Sequence, residues 1–380
     1  MITYLFPQYQ SMINQNKTVV VAMSGGVDSS VAALLLHKQR YRVIGITMKL
    51  WDFEQVGGNI NYESGCCSPQ SFNDARMICV SLGIPYYVLN FSREFYAQVV
   101  EDFVDEYLAG RTPNPCIRCN TKIKWQTLLE KSEELGADLI ATGHYARVVH
   151  NTKTGRYELL RGKDKQKDQS YALWGLSQHS LSRTIFPLGE YSKTEIRNLA
   201  RKFNLHTADK NESQEICFVP DNDYHRLLRR ARARPDREIK KGNIINTQGE
   251  IVGRHDGYPF YTIGQRKGLG GGFRKPMYVV DIDASKNQIT IGGQEDLLCR
   301  DFIIDNINLI SISEIKQPTP AKIKIRYNDN GQEGMLYAHK SDQIRIVFKN
   351  PQRAVTPGQS AVFYANDRVL GGGIIKLRLY

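Results

Sequence analysis

Cysteine is scarce in this chain. Only seven of its 380 residues are cysteine, an odd count without regular spacing, which excludes a disulfide framework and suits a reducing compartment. Long apolar runs are absent as well, and nothing approaches the roughly 18 residues of a membrane-spanning helix. The opening "MITYLFPQYQSMINQNK" has no basic n-region, no apolar core and no arginine, so it reads as neither a secretory signal nor a transit peptide. These absences predict a cytoplasmic protein without a membrane partner. Acidic residues are in deficit: 39 Asp and Glu stand against 51 Lys and Arg, for a net charge of +12. The excess favours contact with a polyanion, although a basic surface kept for solubility has the same composition. Hydrophobic content of 41% and charged content of 24% exclude a disordered or fibrous chain, and the length allows two or three domains.

From Lys17 onward, short runs rich in β-branched residues alternate with segments of helical period. "TVVVAM", "YRVIGITM", "IPYYVLNF" and "ADLIATG" predict strands buried on both faces. Between them "SSVAALLLHKQ", "SFNDARMICVSLG" and "SREFYAQVVEDFVDEYLAG" predict helices, with Gly83 and Gly110 as stops. This alternation predicts an α/β fold with a doubly wound parallel sheet. "SKTEIRNLARKFN" returns to a helix opened by Ser192 with Glu195 in capping-box spacing. Arg226, Arg229, Arg230, Arg232, Arg234 and Arg237 form a basic stretch that could contact phosphates or be a solvated face, the commoner meaning of a charge run. Beyond Lys241 short strands separated by glycine-rich turns predict small β modules, the last one barrel-like. The expected division is an N-terminal extension (1–16), a catalytic domain (17–215), a small central connecting domain (216–298) and a C-terminal β-barrel domain (299–380).

"SGGVDSS" at 24–30 falls where the first strand meets the first helix. A helix N-terminus there offers unpaired N–H groups and a partial positive charge, and glycines let the backbone close around phosphate oxygens. Ser24, Ser29 and Ser30 supply hydroxyl donors, and Asp28 is suited to a magnesium ion bridging phosphates. The stretch lacks both the Gly-Lys-Ser/Thr ending of a Walker A loop and the spaced glycines of a dinucleotide fold. It resembles the pyrophosphate loop of the adenylating ATP pyrophosphatase superfamily, which implies ATP cleavage between the α- and β-phosphates, with AMP passing to the substrate.

The remaining chemistry lies in thiols. "TPNPCIRCN" places Cys116 and Cys119 three positions apart, a spacing compatible with half a zinc site, a redox dithiol, a corner of an iron–sulfur site or two unrelated thiols. Cys217 lies in the polar "NESQEICFVP", whereas Cys79 and Cys299 sit in apolar surroundings and read as core thiols. Cys66 and Cys67 receive no role.

Together "AMSGGVDSS", "GCCS", "GRTPNPCIRCN", "ATGHYAR", "KDQSYAL", "SQEICF", "YTIGQRKGLG" and "IRYND" resemble the tRNA-specific 2-thiouridylase family, in family order and across nearly the whole chain. The resemblance implies an adenine nucleotide alpha hydrolase-like first domain. It also implies replacement of the C2 oxygen of a wobble uridine by sulfur in tRNAs for lysine, glutamate and glutamine. By motif, Ala22, Met23, Ser24, Gly25, Gly26, Val27, Asp28 and Ser29 correspond to the ATP loop, and Met48 and Gly143 to further nucleotide contacts. Asn114, Pro115 and Cys116 correspond to positions facing the target base; Lys167, Asp168, Gln169, Arg326 and Tyr327 correspond to tRNA contacts. Cys119 matches the nucleophile and Cys217 the persulfide carrier. The implied partners are tRNA, a sulfur relay protein charged by a cysteine desulfurase, and a reductant; the implied cofactors are ATP and Mg2+.

One position departs from the pattern. Many family members carry aspartate where this chain has Cys116, which leaves the acid/base assignment open. Two readings follow: Cys116, Cys119 and Cys217 hold a [4Fe-4S] cluster with one open iron, or Cys116 is a spare or resolving thiol. Competing readings of the whole chain are an amidating or ligating ATP pyrophosphatase, which needs no reactive thiols, and a non-catalytic RNA-binding protein that uses the loop as a nucleotide sensor.

Overall fold

The computed structural model describes residues 14–51, 68–211, 216–219, 223–231, 238–270, 273 and 275–379. The chain divides into two compact units, one of residues 1–98, 116–222 and 367–369, the other of 99–115, 223–366 and 370–380.

The first unit is built on a parallel sheet of β1 (Thr18–Ala22), β2 (Arg42–Lys49), β3 (Tyr86–Asn90), β4 (Leu139–Ala141) and β5 (Thr184–Ile185), in the order β3-β2-β1-β4-β5. The most apolar run takes the centre. β1 is buried along its whole length, with Val19, Val20 and Val21 fully covered, and each such side chain contributes about 1.5–3 kcal/mol by leaving water. Helices α1 (Val27–Lys38) and α2 (Pro69–Leu82) follow β1 and precede β3. Ser68 caps α2 through its hydroxyl, and Gly83 ends it in the left-handed conformation, the stop expected from the sequence.

β3 departs from the expectation of a strand buried on both faces. It is an edge strand paired only with β2 among the described strands, and Tyr87 and Val88 are exposed. An apolar run records strand propensity but not position in the sheet, so its edge location was invisible to periodicity. Further along lie α3 (Pro115–Cys119), α4 (Leu128–Glu134) and α5 (Lys193–Lys202). The predicted capping box is present on α5: Ser192 Oγ receives the Glu195 N–H while Glu195 accepts from the Ser192 N–H.

The second unit contains α6 (Tyr224–Ala231), followed by β6 (Gly242–Ile245), β7 (Ile251–His255), β8 (Tyr278–Asp283) and β9 (Gln288–Gly292) in a sheet ordered β8-β9-β6-β7. Its remaining strands are β10 (Leu298–Leu309), β11 (Thr319–Lys324), β12 (Gln332–Ala338), β13 (Ile344–Arg353), β14 (Ser360–Ala365) and β15 (Arg368–Leu379). They run in the order β10-β13-β12-β11-β14-β15, and β10 also pairs with β15. Through that pairing these six strands close into a barrel. Phe302, Phe348, Phe363, Ile323 and Ile346 fill it, each fully buried.

Candidate active site

The turn between β1 and α1 has the backbone expected of a phosphate cradle. Gly25 has φ +70°, and a Cβ there would lie 2.2 Å from the Ser71 carbonyl oxygen, so glycine is required both for conformation and for space. Gly26 precedes α1 as its N-cap without a side-chain cap. The helix's first N–H groups are therefore not taken by a capping side chain. Ser29 Oγ receives the Ser24 N–H at 3.2 Å and lies 3.2 Å from Ser24 Oγ, while the Ser30 hydroxyl donates to the Gly26 carbonyl. Ala22, Met23 and Val27 are buried supports; the Met23 carbonyl accepts from Thr47 Oγ1 at 2.9 Å. Gly143 closes over the turn, where a Cβ would stand 2.8 Å from the Ser29 nitrogen. Met48 lies one residue beyond Thr47 in β2.

Two lysines from distant parts of the chain reach this turn. Lys193 Nζ is 2.8 Å from both oxygens of Asp28, and Tyr145 Oη donates to Asp28 Oδ1 at 2.8 Å. Lys210 Nζ donates to the Gly25 carbonyl at 3.0 Å and pairs with Asp74 at 2.5 Å. Motif reading missed Lys193, Tyr145 and Lys210. Lys193 follows an evident cap, which was the signal available; Tyr145 sat inside a quoted motif without being singled out.

Within the second unit, Gln359 Nε2 donates to the Thr112 and Pro113 carbonyls at 2.9 and 3.0 Å, and the Thr112 N–H donates to the Pro357 carbonyl at 2.9 Å. This clamp holds the backbone leading to Asn114, Pro115 and α3. Cys116 is exposed and Cys119 is buried. Directly after Cys119 the chain winds as a π-helix, Asn120–Thr127, a geometry that recurs at functional sites. Asn120 is fixed by donating to the Ala172 carbonyl and accepting from Lys124 Nζ, both at 2.9 Å. Arg118 Nε donates to the Gln98 carbonyl at 3.1 Å.

His144 lies in the same unit, its Nδ1 2.7 Å from Thr142 Oγ1 and its ring tilted against Trp125. Desolvation, reinforced by the charge of Lys124, holds its imidazole well below the ordinary histidine range, so the ring is neutral at pH 7. Cys217 is half-buried on a short turn. The next residue, Phe218, is buried edge-on against Phe95 at 5.6 Å between centroids, which fixes one side of that turn.

The predicted RNA-contacting positions fall in different settings. Asp168 is buried, with Oδ1 accepting from the Gly162 and Ser170 N–H groups and Oδ2 from the Ser170 hydroxyl. Gln169 Oε1 accepts from the Tyr145 N–H at 3.0 Å; Lys167 is half-buried beside them. In the second unit Arg326 donates to the Arg353 carbonyl at 2.6 Å, and Tyr327 is exposed, with Lys324 Nζ 5.9 Å from its ring centroid. Arg226, Arg229 and Arg230 lie on α6. Arg232, Arg234 and Arg237 lie outside the described residues, as do Cys66 and Cys67.

Cys79, Cys116, Cys119, Cys217 and Cys299 are all present as thiols, and Cys79 and Cys299 are buried as the sequence suggested. Among the described residues no group of three or more His, Cys, Asp or Glu side chains is arranged to hold a metal, and no helix is long and apolar enough to cross a membrane.

Residues 17–221 match the family described as "tRNA methyl transferase HUP domain", residues 235–293 the matching PRC-barrel domain and residues 299–375 an "Aminomethyltransferase beta-barrel domain". The tRNA-specific 2-thiouridylase MnmA of Carboxydothermus hydrogenoformans is 51% identical over 96% of this chain and 98% of its own. The chain belongs to the tRNA-specific 2-thiouridylase family. The relative of that name from Salinibacter ruber is 50% identical over 94% of both chains. A solved 4-thiouridine synthetase–RNA complex with bound ATP aligns over 54% of this chain and 46% of its own, with 18% identity and a TM-score of 0.36. The family description for the first domain speaks of methyl transfer, whereas the full-length relatives are named for thiolation.

Proposed function

We propose that the protein thiolates the wobble uridine of tRNAs for lysine, glutamate and glutamine at C2, with ATP activating the oxygen that leaves. One observation supports this most: a glycine-dependent phosphate turn and a thiol-bearing helix ending in a π-turn occur in one unit of a chain half-identical to 2-thiouridylases. The first supplies activation and the second supplies sulfur chemistry.

The turn at Ser24, Gly25, Gly26 and Ser29 holds the β- and γ-phosphates on backbone N–H groups, oriented so that the uridine O2 attacks the α-phosphorus and pyrophosphate departs. Asp28 fits a magnesium ion, because its carboxylate stands at the helix N-terminus with both oxygens already engaged by a cation, Lys193. Magnesium bound there would neutralise phosphate charge. Gly143 and Met48 line the nucleotide side.

With O2 adenylated, the terminal sulfur of a Cys217 persulfide attacks C2. Cys119 thiolate then attacks Cys217 Sγ, breaking the S–S bond. The electron pair goes to the sulfur on C2, AMP leaves, and Cys119 and Cys217 become a disulfide. Two thiolates are thereby oxidised as the transferred sulfur is reduced, so each turnover requires a persulfide donor, here a sulfur relay protein fed by a cysteine desulfurase, and a dithiol reductant. The Thr112–Gln359 clamp and Asn114, Pro115 and Cys116 position the splayed base. Lys167, Gln169, Arg326 and Tyr327 grip the anticodon region, with Tyr327 offering a stacking face. Asp168 acts through the loop it braces.

The three cysteines do not form a ligand set in this conformation, and no step is routed through an iron–sulfur cluster. The reading is tested with Cys119→Ser and Cys217→Ser: each abolishes 2-thiouridine while circular dichroism and melting stay as in the parent. Thiolation retained by either variant contradicts its assigned role. Release of pyrophosphate on mixing with ATP and unmodified tRNA separates this reading from that of a nucleotide-sensing RNA binder.

A further inference from the structure

Asp28 presents a problem to any polyphosphate in the 24–30 turn. It adds a negative charge to the second residue of α1, at the end of the helix where the anion must sit. The structure answers with Lys193, whose ammonium bridges both carboxylate oxygens at 2.8 Å. This is not an ordinary surface pair: the Lys193 side chain is only 11% exposed and that of Asp28 31%. Lys193 is also the first residue of α5, and its backbone N–H donates to Asp164 Oδ2 at 3.0 Å. With its backbone anchored there, the flexible side chain is what remains to adjust. Lys210 differs, because it holds the Gly25 carbonyl and Asp74 and so fixes the shape of the turn.

We propose that Lys193 is the phosphate-binding cation of the active site, exchanging Asp28 for a β- or γ-phosphate oxygen when ATP enters and remaining with pyrophosphate after cleavage. The ammonium is a compact charge with three donors on a four-carbon stem, suited to handing over between two anions without a change in backbone. The exchange leaves the Asp28 carboxylate, still oriented by Tyr145 Oη, available for magnesium. Nucleotide binding therefore orders the site: Lys193 answers the first anion and Asp28 is unmasked as a consequence.

The inference rests on the turn being a polyphosphate site, and the test separates the two. Full-length wild type, Lys193→Met, Asp28→Asn and the double variant are titrated calorimetrically with inorganic pyrophosphate in EDTA, and with ATP and AMP in magnesium. In EDTA, Asp28→Asn is expected to bind pyrophosphate more tightly than wild type, and Lys193→Met roughly tenfold or more weakly. The double variant stays well below Asp28→Asn, while AMP affinity changes by less than about twofold throughout. Equal binding by the double variant and Asp28→Asn overturns the proposal, since Lys193 would then serve only to neutralise Asp28. If Lys193→Met does not fold, comparing the double variant with Asp28→Asn still decides, because neither leaves a stranded carboxylate. A wild type that binds neither pyrophosphate nor ATP defeats the functional reading of the turn instead.

Discussion

Among single residues, the described thiols differ first in exposure and then in the charge state that burial permits. Cys116 is exposed, Cys217 half-buried and Cys119 buried; burial pushes the Cys79 thiol up to about 11. Since the thiolate is the reacting species, native-state alkylation at pH 8, followed by peptide mass mapping, should label Cys116 before Cys119 and leave Cys79 unmodified until the protein unfolds. Replacement of Cys116 by aspartate should retain thiolation within about tenfold. Loss of all product in that variant, with a fold intact by circular dichroism, would favour the three-cysteine cluster instead. Residues carried by contiguous motifs were legible from sequence. Lys193, Tyr145 and Gln359 were not, because their partners lie 165, 117 and more than 240 positions away, and sequence spacing alone does not establish such pairings.

For the elements, the backbone of the phosphate turn makes the strongest demands. Gly25→Ala must place a Cβ against the Ser71 carbonyl at a positive φ, and Gly143→Ala must push against the first turn of α1. Each should cost about 1–3 kcal/mol of stability and weaken ATP binding, as read by urea unfolding and calorimetry. By contrast Ser192→Ala, which removes the cap of α5, should cost about 1 kcal/mol. The capping box, the glycine stops and the alternation of strand and helix were all written in the sequence. The π-turn after Cys119 was not, since one extra residue in a helical turn leaves an almost unchanged apolar period. The edge position of β3 was equally hidden, because it depends on which strands pair rather than on the run itself.

Over the whole molecule, titration links the site to stability. The neutral His144 has a pKa below its unfolded value of about 6.5, so the unfolded chain takes up a proton first. Its contribution is complete above about pH 6.5 and drains away as the pH falls below that. Cys79 works in the opposite direction: its unfolded thiol ionises near 9.0 and its folded thiol near 11, so stability is lost as the pH rises above about 9. Tyr41 and Tyr86, also raised by burial, steepen the alkaline side. Trp51, Trp125 and Trp174 all belong to the first unit, so urea midpoints followed by tryptophan fluorescence report that unit. They should plateau between these limits, with the acid limb flattened in His144→Gln. The net charge of +12 fits a tRNA partner at this scale, and the predicted binding should weaken steeply with added salt.

The central claim is that this chain places sulfur on C2 of a tRNA uridine at the expense of ATP. Mass spectrometry of nucleosides from unmodified tRNA, incubated with the protein, ATP, magnesium, a persulfide donor and a dithiol reductant, tests it most directly. The account predicts 2-thiouridine only when ATP and persulfide are both present, and none with Cys119→Ser. A wild-type reaction that releases pyrophosphate yet leaves every uridine unthiolated, or thiolation that persists without ATP, would contradict it.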